Sequence, residues 1–289
     1  MIPAPFDYLV PPTLSDAIAA LGQHENAKVL AGGQSLIPVM RFRLASPAVL
    51  VDLNRIEGLS YINEENGWLK IGAMTRESML EHSALVREKY LLLADTARVI
   101  SDPIVRNMGT VGGNLANGDP GNDHPATMLA YGAEVVATGP NGERVIPIDA
   151  FFIGLYESAL APDEILTEVR IPATKPRSGG AYLKLERKVG DFATAAVAAQ
   201  VQLDENDNFL SVGLGLTNVG LTSIKATAAE EYLRGKASTD DNIRHAAQLA
   251  AEAAQPIADV RGSEEYKRSL VKTYAVRALR KAVDRAKGG

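Results

Sequence analysis

Residues 27–36 read Ala27-Lys28-Val29-Leu30-Ala31-Gly32-Gly33-Gln34-Ser35-Leu36. The apolar run 27–30 is a strand, the two glycines end it, and a helix is expected over residues 35–44. A glycine pair at a strand-to-helix junction removes the side chains that keep a ligand off the backbone. Successive N–H groups can then line a concave nest that favours phosphate. The plainer reading is a helix start that needs unusual dihedrals. Residues 110–114, Thr110-Val111-Gly112-Gly113-Asn114, repeat the glycine pair and its polar flanks. A dinucleotide carries two phosphates and needs several donors. Two nests on separate strand–loop units could supply them from two sides.

The second pair lies in a long polar stretch, 102–123, rich in Gly, Asn and Asp, which is more often a functional loop than an accident. Around these two loops the expected elements are a short helix at 15–21 capped by Thr13 or Ser15, strands at 49–53 and 68–73, and helices at 76–86, 91–100 and 125–131. Strands at 134–138 and 144–148 flank the turn Pro140-Asn141-Gly142, and another runs over 164–171. Residues 172–180, with two prolines and two glycines, read as a domain linker. Beyond it come strands at 181–188, 193–203 and 208–218, the last two joined by Glu205-Asn206-Asp207-Asn208, and then helices at 224–234, 240–254 and 264–287. Arg277, Arg280, Lys281, Arg285 and Lys287 suit the negative pole of the last helix.

Composition narrows the chemistry. Of 289 residues, 46% are hydrophobic and 22% charged, which supports a packed core rather than disorder. The net charge of −5 and the lack of a basic block before the C-terminal helix argue against nucleic acid as a partner. With no cysteine, thiolate metal sites and cysteine-ligated iron–sulfur clusters must sit on another polypeptide. No apolar run reaches spanning length and residues 1–7 carry no basic segment, so no transmembrane segment and a cytoplasmic location are expected. No G-x-G-x-x-G or P-loop occurs where a strand opens a helix. Gly213-Leu214-Gly215-Leu216-Thr217-Asn218 lacks the third glycine and falls inside a strand. His24, His82, His124 and His245 show no metal-ligand spacing, and no nucleophile motif is present, so neither a catalytic nor a metal-binding residue is assigned.

Five stretches occur in one order: residues 30–36, Ile71-Gly72-Ala73-Met74-Thr75, Arg106-Asn107-Met108-Gly109-Thr110-Val111-Gly112-Gly113-Asn114, Glu164-Ile165-Leu166, and Lys184-Leu185-Glu186-Arg187-Lys188-Val189-Gly190-Asp191-Phe192-Ala193. In these the chain resembles the FAD-binding medium subunits of the molybdenum hydroxylases, relatives of xanthine dehydrogenase. Gly118-Asp119-Pro120-Gly121-Asn122-Asp123-His124-Pro125-Ala126 and Leu216-Thr217-Asn218-Val219 resemble the aerobic carbon monoxide dehydrogenases within that family. Gln34 departs from the histidine that many of those carry.

The resemblance implies an α+β fold: a two-subdomain FAD-binding fold of the vanillyl-alcohol oxidase type over 1–175, with subdomains of about 1–56 and 57–175. A C-terminal flavoprotein domain over 176–289 would consist of a three-stranded antiparallel sheet plus helices. It implies that FAD, held non-covalently, meets residues 31–35 and 110–114, with Lys28, Val29 and Leu30 leading into the first loop. Leu166 and Asp191 lie in matched stretches. Asp123 matches an acidic residue that contacts FAD, though a helix N-cap is the plainer role. Lys184 matches a cofactor-side lysine. Phe192 falls near the isoalloxazine ring or in the core. The molybdenum cofactor and 2Fe-2S clusters are expected on a large and a small partner subunit, in a dimer of heterotrimers that passes electrons to an external acceptor and associates with the inner face of the membrane, if at all, only through the complex. The substrate would be carbon monoxide. The alternatives are an N-heterocycle or aldehyde hydroxylase of the same family, a stand-alone FAD oxidoreductase, and a non-enzymatic FAD-binding module.

Overall fold

The computed structural model describes residues 2–288, which form three principal sheets in sequence order. The first is parallel. Strand Val49–Asp52 lies between Asp7–Leu9 and Ala27–Leu30 and is buried along its whole length. Parallel neighbours need a crossover, and helix Leu14–Gln23 helps to supply it. Thr13 caps that helix by accepting from the Asp16 N–H at 3.1 Å, and Ala17, Ile18 and Leu21 bury against Val49, Val51 and Leu53.

The second sheet is antiparallel, in the order Ile62–Glu65, Trp68–Gly72, Ile165–Pro172, Glu134–Gly139, Gly142–Pro147. Its buried face meets helices Glu77–His82, Ala84–Lys89, Leu91–Val99 and Val111–Ala116 in one apolar cluster. The helix expected over 76–86 is two helices. Ser83 ends the first in an extended conformation and caps the second. The long loop 102–123 is also partly helical: Pro103–Met108 starts with Asp102 as its cap and proline in its first turn, and Val111–Ala116 follows.

The third sheet is antiparallel: Ser178–Leu185, Ala195–Leu203, Phe209–Thr217 and Ile224–Lys225. The three expected strands are joined by a fourth of two residues, where the sequence pattern predicts the start of a helix. The helix itself begins at Thr227 because Ile224 and Lys225 pair with Leu216 and Gly215. The strand Ser178–Leu185 begins inside the stretch 172–180 read as a linker, since Gly179 and Gly180 accept close neighbours there: Ala282 and Ala286 of the last helix, and Leu92 and Gln200 respectively.

Alternation along Ala195–Leu203 gives this sheet two faces. Ala195, Val197, Ala199 and Val201 meet helices Thr227–Leu233, Asp240–Ala253 and Glu264–Ala286, while Ala196 and Ala198 face helix Asp123–Tyr131 of the preceding layer. Gly213 and Gly215 lie on the second face, where β-carbons would collide with the carbonyls of Ala130 and Ala126. The Gly-x-Gly that resembled a truncated nucleotide fingerprint is thus a groove that seats a helix. Asp95, accepting from Lys281 at 3.0 Å and from Arg285 at 2.7 Å, ties the last helix to Leu91–Val99.

Candidate functional site

The first glycine loop leaves strand Ala27–Leu30 and enters the short helix Leu36–Arg41. Gly33 has φ +73°, a conformation that glycine adopts without strain. Among the hydrogen bonds of the described residues, none uses the N–H groups of Gly32, Gly33, Gln34 or Ser35. Four successive backbone donors are therefore open at a place where two residues carry no β-carbon. Behind them Leu30 is half-buried against the loop and Val29 packs into the first core, while Lys28 is exposed on the strand.

The second loop has the same sequence pattern and a different use for it. Val111 N–H donates to Thr75 O at 3.0 Å, Gly112 N–H to Ala73 O at 2.9 Å, Gly113 N–H to the Thr110 hydroxyl at 3.1 Å and Asn114 N–H to Thr110 O at 2.9 Å. The donors expected to form a second nest are consumed by the fold. The glycines here permit close packing instead: a β-carbon on Gly112 would lie 2.5 Å from that of Ala73, and one on Gly113 would lie 3.4 Å from that of Ala31. What the loop offers to a ligand is Asn114, whose side-chain oxygen is buried without a hydrogen-bond partner.

The two loops meet. A β-carbon on Gly32 would run into the Met108 carbonyl and lie 2.8 Å from Gly109 Cα. Side chains that the sequence reading missed join the same junction. Asn54 Nδ2 donates to Ala31 O at 2.9 Å, Arg76 Nη2 donates to Asn54 Oδ1 at 2.6 Å, and a second Arg76 nitrogen donates to Met108 O. Asp52 accepts from the Asn54 N–H at 2.8 Å and from the Tyr8 hydroxyl. The one signal available was position: Arg76 follows directly on the matched stretch 71–75.

From the second loop, contacts lead to the C-terminal sheet. Asn122, the N-cap of helix Asp123–Tyr131, donates its side-chain amide to Asn114 O at 2.8 Å. Asp123 is therefore the first helical residue rather than the cap, and its carboxylate is buried. One oxygen accepts from Tyr182 at 2.7 Å and the other from Lys184 at 2.9 Å, and Lys184 also donates to Val99 O at 3.0 Å. Burial raises the Asp123 carboxyl above its ordinary value, against the pull of Lys184 and Tyr182. Burial and the Asp123 charge push the Tyr182 phenol far up, so it stays a donor.

Asp191 accepts from Arg261 at 2.9 Å, from Arg187 at 3.1 Å and from the Phe192 N–H at 2.8 Å, and the Arg261 hydrogen bond leads in holding its carboxyl down to about 2. Phe192 is half exposed. A β-carbon on Gly121 would lie 3.0 Å from its ring, so the ring covers the turn that leads to Asp123, and Arg261 stands 5.9 Å from the ring centre. It is not a core aromatic. Leu166 stands apart from this surface: its side chain is packed in the core of the second layer with Val111 and Leu115. Among the described residues no three His, Asp or Glu side chains converge as a metal site.

The open donors at 32–35, the absence of β-carbons at Gly32 and Gly33 and the unpartnered oxygen of Asn114 fit a phosphate-bearing dinucleotide laid between two loops. Comparison with known proteins identifies the family. Residues 4–174 match the FAD binding domain in molybdopterin dehydrogenase, and residues 180–282 match the CO dehydrogenase flavoprotein C-terminal domain. The chain belongs to this family of FAD-binding subunits of molybdopterin dehydrogenases. It is 44% identical to the carbon monoxide dehydrogenase medium chain of Hydrogenophaga pseudoflava, covering 98% of each chain, and 42% identical to that of Afipia carboxidovorans, covering 99% of this chain and 100% of the other. The solved carbon monoxide dehydrogenase from Hydrogenophaga pseudoflava which lacks the Mo-pyranopterin moiety of the molybdenum cofactor superposes with a TM-score of 0.96 at 44% identity, over 99% of both chains.

Proposed function

We propose that this chain is the flavoprotein subunit of a molybdenum-containing carbon monoxide dehydrogenase, taking electrons from the iron–sulfur clusters of a small partner subunit and passing them to an external acceptor. The observation that carries the reading is the run of four open N–H groups at Gly32–Ser35, where the first loop packs against the second, in a chain 44% and 42% identical over nearly its whole length to two carbon monoxide dehydrogenase medium chains. Bound FAD supplies a centre that accepts and releases electrons. This chain holds and orients it. Gly32 to Ser35 donate to the pyrophosphate, with Ala31 and residues 28–30 supporting them. Residues 110–114 form the facing wall, where Thr110 fixes the loop and Asn114 offers its amide to the cofactor.

Asp123, fixed by Lys184 and Tyr182, and Asp191 with Phe192 border the flavin end and limit water there. Leu166 contributes from behind, by supporting the second loop. FAD is held without a covalent bond. The division of labour follows the chain: residues 1–175, as subdomains 1–56 and 57–175, bind the cofactor, and 176–289 close over it. The complex is a dimer of heterotrimers with a large molybdenum subunit, located in the cytoplasm. No helix of the described residues is long and apolar enough to cross a membrane.

The carbon monoxide reading is tested on the native complex. Size exclusion should show this chain with two partners, and metal analysis should find molybdenum and iron. Carbon monoxide without an acceptor should bleach the flavin absorbance. Bleaching by an N-heterocycle or an aldehyde but not by carbon monoxide would leave the family reading in place and overturn the substrate. A metal-free homomer with full turnover would overturn both.

A further inference from the structure

We propose that Asn54 and Arg76 act together as a clamp that sets the gap between the two glycine loops, making them positioning residues for FAD rather than contacts to it. The inference rests on the reading that FAD lies between those loops.

Asn54 follows the central strand of the parallel sheet, Val49–Asp52, and Arg76 follows strand Trp68–Gly72 of the antiparallel sheet. Their side chains form a bridge that starts at a carbonyl of the first loop and ends at a carbonyl of the second: Ala31 O accepts from Asn54 Nδ2 at 2.9 Å, Asn54 Oδ1 accepts from Arg76 Nη2 at 2.6 Å, and the other arm of the guanidinium reaches Met108 O. The Met108 carbonyl is also the group against which Gly32 packs. Both ends of the bridge are carbonyls, so it satisfies acceptors at the junction and leaves the N–H groups of 32–35 for a ligand. Each member is held from behind. Asp52, itself bonded to Tyr8, accepts from the Asn54 N–H, and Glu77 N–H beside Arg76 donates to Gly109 O at 3.0 Å. A planar guanidinium donates from two arms at once, which a single ammonium cannot do in the same geometry. A dinucleotide that spans both loops binds only if their separation is right before it arrives, so the clamp acts by preorganisation.

The test is FAD titration of the flavin-depleted native complex carrying Arg76→Met, Asn54→Ala, both together, or Arg76→Lys, with thermal melts of each flavin-free sample. Arg76→Met and Asn54→Ala should each weaken FAD binding by about ten- to a hundredfold. The double variant should be no worse than the weaker single, because the two residues form one bridge. Arg76→Lys should recover part of the loss, and the flavin-free melts should stay close to wild type. Wild-type affinity in Arg76→Met, additive losses in the double variant, or melts that fall in step with affinity would overturn the clamp. Gly33→Val serves as the reference arm. If it loses FAD while Arg76→Met does not, only the clamp fails. If it keeps FAD, the site lies elsewhere and the clamp falls with it.

Discussion

Gly32 and Met108 touch through their backbones, with no room for a β-carbon between the Gly32 Cα and the Met108 carbonyl. That contact joins the loop after the parallel sheet to the end of helix Pro103–Met108, at the point where the open donors lie. Gly32→Ala should push the loops apart and weaken FAD binding by about tenfold or more, equivalent to about 1.4 kcal/mol. Gly22→Ala is the matched control, since a β-carbon there meets nothing within 4 Å and the position is helical. Isothermal titration of the two variants checks this; equal affinities would place the cofactor away from the junction.

Gly113 is helical rather than left-handed, so a side chain there causes no backbone strain. Its β-carbon would instead lie 2.7 Å from the Thr110 hydroxyl that caps helix Val111–Ala116. Gly113→Val should break that cap, at about 1 kcal/mol, and press on Ala31 across the junction. Flavin content should fall much further than the melting temperature of the flavin-free protein. Circular dichroism melts beside flavin quantification separate the two effects, and normal flavin content in the variant would remove residues 110–114 from the site.

Gly215 supports helix Asp123–Tyr131 and through it Asp123. Gly215→Ala overpacks the groove against the Ala126 carbonyl and should destabilise the protein by about 1–3 kcal/mol. Chemical denaturation should show a lower midpoint. A midpoint equal to wild type would mean that the sheet and helix can slide apart without cost.

These three glycines show what the sequence could and could not reveal. Both glycine loops, the 140–142 hairpin and the three long strands of the last sheet were legible, because local apolar pattern and turn residues suffice for them. The two glycine pairs look alike in sequence and differ in use, because the acceptors for Val111 and Gly112 are Thr75 and Ala73, carbonyls contributed by a distant segment. Gly213 and Gly215 fall short of a nucleotide fingerprint in the sequence, and their actual use is hidden there because the helix they seat, Asp123–Tyr131, lies far earlier in the chain. Asn54 and Arg76 belong to no local pattern at all. The helix Pro103–Met108 was readable from Asp102-Pro103, a cap followed by proline at the first helical position, yet the glycine-rich composition around it masked the signal.

Arg261 supplies the pH dependence that is simplest to test. Its hydrogen bond holds Asp191 at about 2, below the ordinary aspartate value. A carboxyl depressed in the folded state contributes stability that is present above the unfolded value and is lost as pH falls toward the folded one. The stability difference between wild type and Arg261→Ala should therefore be full at pH above about 5 and shrink as pH drops through 4 toward 2. Paired melts across that range report it; a difference that is constant with pH would show that Arg261 acts on stability by some route other than Asp191.

FAD held reversibly between the two glycine loops is the proposal from which the other predictions follow. The most direct measurement is to denature the native complex and identify the flavin by chromatography. FAD should be released in an amount equal to the chain, and the denatured chain should be left colourless. Release of FMN, or a flavin that stays attached to the denatured chain, would contradict it.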